Sequence, residues 1–250
     1  MMSSNDAEQR NLSFGPSVRI RSPDLFRILA TTAGFLVVSD AILKIVAPAT
    51  GVETITDVRR MFDLDGEQNV PAMYSSALLF LAGVLLLIMA SCHRHCGEQD
   101  AWMWFALGGI FGYLAVDELV GLHERLSRVL RFVIPGRGLL RFTWVVAAIP
   151  GVALLGIVYR RAVWALPERT RWQFILAGAV FIGGAVGIEM LGGWCLESSG
   201  RGFAYHALVA VEESMEMLGV IIFIRALVEH IAGRFPEVRV RFEGAKGVVD

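Results

Sequence analysis

Acidic residues stand inside apolar stretches of this sequence, where an ionised side chain is costly. The apolar run 207–228 contains Glu212, Glu213 and Glu216 within its first ten residues. Their spacing places the three carboxylates within an arc of about 100° on one face of a helix. An acid at the middle of a membrane costs about 2.5–3.5 kcal/mol. The group therefore needs protonation, a bound cation, a basic partner or a water-filled cavity.

Two other apolar runs carry acids as well. One contains Glu189 close to its end, and another ends in "DELVGLHERL", which holds Asp117, Glu118, His123 and Glu124. When consecutive runs cross a membrane, odd-numbered runs finish and even-numbered runs begin on the same side. We therefore expect all of these groups to lie at one level of the bilayer.

Carboxylates with one or two histidines on facing helices are typical of iron, manganese or zinc sites. We predict a site for one or two such ions, and the predicted metal ligands are Glu118, Glu189, Glu213 and Glu216. The predicted catalytic groups are His123 and His206, each of which would ligate the metal or act as an acid or base. Further candidates for the same pocket are Asp117, Glu124, Glu212 and Asp40.

The same residues fit two other interpretations. Acids inside membranes commonly carry protons, which predicts a proton or cation path. Acids can also be bonded to the backbone or to basic side chains and have no further role. Asp40 and Lys44 are four residues apart and are expected to neutralise each other in this way, unless Asp40 lines the cavity.

The chain that carries these acids is too apolar for an ordinary soluble domain. Of its 250 residues, 55% are hydrophobic and 19% are charged, and the mean hydropathy is +0.56, whereas soluble domains are about 45–50% apolar. A helix needs about 20 apolar residues to cross a bilayer. Six runs qualify, namely 25–47, 72–91, 101–121, 142–159, 173–193 and 207–230. We predict an all-α integral membrane protein, a bundle of six transmembrane helices within 25–232.

The distribution of basic residues predicts the orientation of this bundle. Fourteen Arg and Lys side chains fall on the side of the two termini, and eight fall on the other side. By the positive-inside rule both termini are cytoplasmic, which makes 1–24 a polar cytoplasmic segment and 233–250 a cytoplasmic tail. The acids then lie in the outer half of the membrane. The stretch 122–133 has its apolar residues on one face, so we predict a short amphipathic helix in the membrane interface.

The remaining stretches are expected to have structural roles. The second and fourth runs contain no ionisable residue and are predicted to face lipid as a scaffold. The loop 48–71 has a short helical pattern and is predicted to cap the outer end, with a polar, solvated turn at "DLDGEQN". The pairs Gly108-x-x-x-Gly112 and Gly183-x-x-x-Gly187 predict close packing between helices.

The motifs "AVDELVGLHERL" and "VEESMEMLGV" resemble those of a widespread set of bacterial multi-pass membrane proteins. Those proteins carry Asp-Glu and then His-Glu late in one span, and Glu-Glu-x-x-Glu-Met-x-Gly early in the last. The residues that match are Asp117, Glu118, His123, Glu124, Glu212, Glu213, Glu216, Met217 and Gly219. The resemblance implies a membrane location and the recurrence of these acids. That family is uncharacterised, so the resemblance implies no activity.

These patterns predict metal-dependent chemistry, hydrolytic or oxidative, on a lipophilic substrate that enters from the outer leaflet. The alternatives are a proton-coupled or cation transporter that uses the same acids, and a structural or accessory membrane subunit. The expected partners are the lipid bilayer and a lipophilic small molecule, with no nucleic acid. We expect a multi-pass protein of the plasma or inner cell membrane, and the pattern leaves its oligomeric state open.

Overall fold

The computed structural model describes residues 21–235, and every regular element in that range is a helix. The helices are α1 (Ser22–Thr50), α2 (Glu53–Met61), α3 (Val70–His95), α4 (Ala101–Val120), α5 (Leu122–Leu130), α6 (Val145–Ala165), α7 (Glu168–Ser199) and α8 (Phe203–Arg234). A 3-10 turn, Gly138–Leu140, lies between α5 and α6. Residues 1–20 and 236–250 lie outside the described residues, so only the innermost parts of the predicted segments 1–24 and 233–250 are described.

Five of these helices are long and apolar enough to cross a membrane: α1, α3, α4, α6 and α7. They correspond to the first five predicted runs, and the helices generally extend a few residues beyond the apolar limits. The sixth predicted run lies in α8, which has 32 residues. This helix is not one of the five because acidic and basic side chains recur along it.

Local signals set the ends of several helices. Asn69 caps α3, because its Oδ1 accepts a hydrogen bond from the Ala72 N–H at 3.1 Å, and Pro71 occupies the first turn. Gly51 and Gly121 end α1 and α4 with φ angles of 65° and 59°. Glycine adopts this left-handed conformation without the steric cost that other residues incur. The left-handed turn at Gly121 separates α4 from α5, which begins at the next residue, Leu122.

The predicted amphipathic helix is present as α5, although it ends at Leu130 rather than at residue 133. Its apolar side chain Val129 is 61% exposed. The opposite face is held by Ser127, whose carbonyl accepts from the Thr143 hydroxyl at 2.8 Å and whose Oγ accepts from the Trp144 N–H at 3.1 Å. These bonds tie α5 to the start of α6 and leave one apolar face uncovered. Its location in a membrane interface stays a prediction.

Helix α3 has a more central position than the sequence predicts. It packs against both α4 and α8, and half of its most apolar stretch is buried. Leu78, Leu86 and Met89 belong to the core that also contains Met217 and Ile221 of α8. The predicted lipid-facing scaffold is therefore wrong for this side of α3, because a lack of charge suits a helix among helices as well as one in lipid. Helix α6 agrees better with the prediction, since only 17% of its most apolar stretch is buried.

Two of the four glycines that were predicted to pack closely have a close neighbour at the position of a Cβ. A Cβ at Gly108 would lie 3.3 Å from the Gly83 carbonyl oxygen, and one at Gly183 would lie 2.9 Å from Met215. Nothing lies within 4 Å of the corresponding positions at Gly112 and Gly187. The spacing of small residues therefore identifies the packed helices better than the packed positions.

The end of the bundle opposite the acids is closed by rings around two buried histidines. The ring centroids of His93 in α3 and His230 in α8 lie 6.3 Å apart, and His93 lies 6.1 Å from Trp104 of α4. Glu98 contacts His93 and accepts a hydrogen bond from Arg234 at 2.9 Å. That bond holds the pKa of Glu98 below its usual value. The cluster joins the ends of α3 and α8.

Candidate functional site: an acidic cavity

A cavity of about 170 Å³ lies at the end of the bundle where α4 finishes and α8 begins. Its walls come from the loop before α3, the α4–α5 corner, the start of α6, the second half of α7 and the first half of α8. Its acidic lining residues are Asp65, Glu67, Glu118, Glu124, Glu189, Glu212 and Glu213, and its basic ones are His123 and Arg201. Acidic side chains outnumber basic ones in this wall, so ionised carboxylates would give the cavity a negative potential.

The structure places six of the ten predicted site residues in the wall of this one cavity. They are Glu118, His123, Glu124, Glu189, Glu212 and Glu213. The other four, Asp117, Glu216, His206 and Asp40, do not line it. Each of these four has surroundings that explain its position.

Asp117 lies behind the wall and orients His123. The left-handed turn at Gly121 brings the start of α5 back toward the end of α4. One carboxylate oxygen of Asp117 accepts the His123 backbone N–H at 2.8 Å, and the other lies 3.1 Å from His123 Nδ1. Burial lowers the pKa of His123, but the hydrogen bond to Asp117 and the charges of Asp117, Glu189 and Glu67 outweigh it and raise the pKa to about 9. His123 is therefore a cation at neutral pH.

Glu189 follows a π-helical segment of α7, Gly183–Ile188. Such segments often occur at functional sites because they break the regular hydrogen-bond pattern. Glu189 is only 9% exposed, and it accepts a hydrogen bond from the indole N–H of Trp144 at 2.9 Å. The Trp144 ring in turn lies 5.3 Å from the His123 ring. Residues from α5, α6 and α7 thus form one connected wall.

Glu216 lies one turn deeper than the cavity wall. A Cβ added at Gly184 would lie 3.2 Å from Glu216 Cγ and 2.8 Å from the Glu212 carbonyl oxygen. The absence of a side chain at Gly184 therefore lets the π-helical segment pack directly on α8 beside these acids. Glu216 therefore lies beside the α7–α8 contact and outside the cavity wall.

Asp40 and His206 lie outside the cavity wall. Asp40 is 2% exposed and forms an ion pair with Lys44 at 2.9 Å, and its other oxygen accepts the Leu64 N–H at 3.2 Å. This agrees with the expected neutralisation of Asp40 by Lys44. His206 packs against Tyr205, and its Nδ1 is buried with no partner in the described residues.

Several wall residues have no counterpart in the sequence-based prediction, among them Asp65, Glu67, Arg201 and Tyr205. The Tyr205 hydroxyl donates to Asp65 at 2.6 Å, and Arg201 lies 3.6 Å from the same carboxylate. The turn that contains Asp65 is therefore docked on α8 rather than only solvated. The sequence signal that could have indicated Asp65 and Glu67 is the group of acids in "DLDGEQN".

Glu67 closes the cavity over the α4–α5 corner. A Cβ at Gly121 would overlap the Glu67 carboxylate, so no larger residue fits at Gly121 with Glu67 in this position. Burial, followed by the charge of Glu124, raises the pKa of Glu67. The loop thus adds a further acid to a region that is already acidic.

The central carboxylates have no basic partner among the described residues. Within residues 21–235, those of Glu118, Glu212, Glu213 and Glu216 take part in no ion pair and accept no hydrogen bond. Although these oxygens have no hydrogen-bond partner, none of them is fully buried. Each of these oxygens therefore keeps some accessible surface, which water can occupy.

The described residues contain no preformed metal centre. Within 21–235, no three side chains of His, Cys, Asp or Glu converge closely enough to hold a metal ion. A transition metal would need four or more ligands within about 2.0–2.3 Å. The ion predicted at Glu118, Glu189, Glu213 and Glu216 stays a prediction, and these side chains would have to move to ligate it.

One family model matches this chain, over residues 28–231, and it is described as Domain of unknown function (DUF8692). The match extends from the first turns of α1 to the last turns of α8 and includes every residue of the cavity wall. No curated protein and no solved structure matches the chain.

Proposed function

The chain belongs to the family Domain of unknown function (DUF8692), and from the site that it carries we propose that it is a proton-coupled or cation transporter. Its acidic cavity takes up protons or another cation from the outer side of a cell membrane. The observation that carries this proposal is the group of central carboxylates, Glu118 of α4 and Glu212, Glu213 and Glu216 of α8, that have no basic partner in the described residues.

The proposed arrangement in the membrane has six spans. Helix α8 is the sixth, and its charged side chains face the bundle instead of lipid. Both termini are cytoplasmic, as the distribution of Arg and Lys predicts. Asp65, Glu118 and Glu212 then lie at the outer end, where water has access from the cell exterior. The membrane is the plasma or inner cell membrane.

The energetics of the carboxylates support an exchangeable cation. Each ionised acid in the bilayer costs about 2.5–3.5 kcal/mol on insertion scales, and no basic side chain among residues 21–235 pairs with Glu212, Glu213 or Glu216 to offset this cost. The two cations in the wall are already engaged, His123 by Asp117 and Arg201 by Asp65. Protons or a bound cation are therefore the neutralising species, and both can leave again.

Alternating access requires that the path on one side of the site is closed in each state. Beneath the acids the core is closed by Leu86, Met89, Ile221 and Ile224, all at most 1% exposed. Transfer to the other side therefore needs a movement of α8 against α3, and with it a change in the contact between α7 and α8. The π-helical segment Gly183–Ile188 lies at this contact and supplies irregular backbone that can absorb such a change.

Flux through liposomes tests this proposal. A pH gradient is imposed across liposomes that contain the protein and a pH-sensitive dye, with one test cation at a time, inorganic or organic. We expect the protein to dissipate the gradient with at least one of them, and Glu213→Gln and Glu216→Gln to return the rate to that of empty liposomes. Glu53→Gln, which changes an exposed acid on α2, is the matched control and should retain full flux. Wild-type rates equal to those of empty liposomes with every cation would contradict the proposal.

Metal-dependent chemistry on a lipophilic substrate is a second candidate, favoured by one observation. Asp117 orients His123 through Nδ1, as carboxylates orient the histidines of metal sites. Protein purified in mild detergent should then contain iron, manganese or zinc at one or two ions per chain, and Glu118→Gln should lose it. A preparation without stoichiometric metal, in which Glu118→Gln leaves stability unchanged, would count against this candidate.

A further inference from the structure

The acidic cavity also has aromatic walls. Phe142, Trp144 and Tyr205 line it together with the carboxylates. Two of these rings are fixed by their polar atoms, since Trp144 donates to Glu189 and Tyr205 donates to Asp65. Fixed aromatic faces beside carboxylates are the combination that binds an ammonium group with its alkyl substituents, because the ring faces attract a cation and the apolar stem contacts the ring.

The size of the cavity favours an organic cation over a bare metal ion. Its volume is about 170 Å³, more than ten times the ~10–15 Å³ that one water molecule needs. Within residues 21–235 no three His, Cys, Asp or Glu side chains converge on one point, as a metal ion of about 2 Å bond length would require. Separated carboxylates around a wide space instead suit a larger cation whose charge is met by one or two of them.

Apolar side chains complete the lining. Leu64, Ala72, Leu196 and Val209 belong to the same wall. A fully hydrated inorganic ion gains nothing from these side chains, whereas an alkyl chain loses water-exposed apolar surface against them. The wall therefore distinguishes an alkylammonium ion from sodium, potassium or magnesium.

We infer that the cation bound in this cavity is a small alkylammonium ion, a protonated amine with a short aliphatic chain, whose ammonium group faces Glu212 and Glu213 and whose chain lies against Trp144. This inference rests on the proposed function, and it names the species that is exchanged for protons. The fixed cations His123 and Arg201 do not compete for these two glutamates, since each is engaged by an aspartate.

Binding to the purified protein tests the inference separately from transport. Butylammonium, butanol, sodium and magnesium are titrated against the full chain in detergent, with thermal unfolding and calorimetry as the measurements. We expect butylammonium to raise the unfolding temperature in a saturable way, while neutral butanol, which has the same alkyl chain, and the inorganic ions do not. Equal effects of butylammonium and butanol, or tighter binding of magnesium, would overturn the inference.

Variants of Trp144 identify the aromatic contribution. Trp144→Leu should weaken butylammonium binding about tenfold, while Trp144→Phe, which keeps a ring but loses the bond to Glu189, should weaken it less. If both variants bind as wild type does, the aromatic wall is not the site and the inference fails. If they unfold, Glu212→Gln still tests the site, and unchanged binding there would overturn the inference.

The two failures are distinguishable. Dissipation of a pH gradient with inorganic cations alone, with no binding of butylammonium, would keep the proposed transport and overturn the alkylammonium inference. Saturable butylammonium binding, in liposomes that show no flux with any cation, would keep the inferred ligand and overturn transport.

Discussion

Replacing Gly219 with alanine is expected to destabilise the contact between α7 and α8 by about 1–3 kcal/mol or more. A Cβ at this position would lie 2.7 Å from the Phe181 amide nitrogen and 2.9 Å from the Ala177 carbonyl oxygen. Both atoms belong to the α7 backbone, which cannot rotate away as a flexible side chain can. The two helices must separate along the contact, and their packed side chains lose dispersion contacts and burial. Thermal unfolding in detergent should show a clearly lowered transition temperature for Gly219→Ala.

The matched control for this variant is Gly178→Ala in α7. Nothing lies within 4 Å of its added Cβ, and alanine is favoured over glycine in a helix by about 0.5–1 kcal/mol. Gly178→Ala should therefore unfold at the wild-type temperature or slightly above it. A Gly219→Ala variant as stable as the control would show that α7 and α8 do not pack as closely as described.

Replacing Asp117 with asparagine is expected to remove a pH-dependent contribution to stability of about 3 kcal/mol. The pKa of His123 rises from an ordinary 6.5 to about 9 in the folded protein: burial works against it, and the bond and charge of Asp117 are the main causes of the increase. A raised histidine pKa stabilises the fold fully below about pH 6.5, and this stabilisation is lost as the pH rises through about 9. Asparagine keeps an acceptor for the His123 backbone N–H but removes the charge.

The measurement is the difference in unfolding free energy between wild type and Asp117→Asn at several pH values. We expect a large difference at pH 6 and a small one at pH 10, because the wild type alone loses the His123 contribution in between. Asp57→Asn is a suitable control, since Asp57 pairs with Arg60 on an exposed face of α2, where both side chains are more than 60% accessible. Surface pairs of this kind contribute about 0–1 kcal/mol. A difference for Asp117→Asn that stays constant with pH would contradict the assignment of the raised pKa to this pair.

Part of the site follows from helix periodicity and the order of the spans. The spacing of Glu212, Glu213 and Glu216 predicts one helical face, and the alternation of direction predicts that Glu118 and Glu189 lie at the same level. Both arguments use only quantities that repeat along the chain, which are 3.6 residues per turn and one change of direction per span. The structure places Glu118, Glu189, Glu212 and Glu213 around a single cavity in agreement with them.

Loop positions do not follow from any periodicity. Asp65 and Glu67 lie in a turn of eight residues between α2 and α3, and bonds from Tyr205 and Arg201 hold Asp65 at the cavity. Arg201 lies just before α8 and Tyr205 lies in its first turn, more than 130 residues later in the chain. No local pattern in the turn specifies such a contact, because its free energy depends on the docking of two separate segments.

The sequence by itself predicted a helical chain with six apolar runs, five of which lie in helices long and apolar enough to cross a membrane, and it showed that acids recur inside these runs. Hydropathy and helical spacing are local properties, so they can be obtained without knowing which helices are neighbours. Tertiary structure alone decided that α3 is central, that Glu216 lies below the cavity and that His206 lies outside its wall. These outcomes depend on which faces of different helices meet, and close packing, rather than the composition of any one helix, determines that choice.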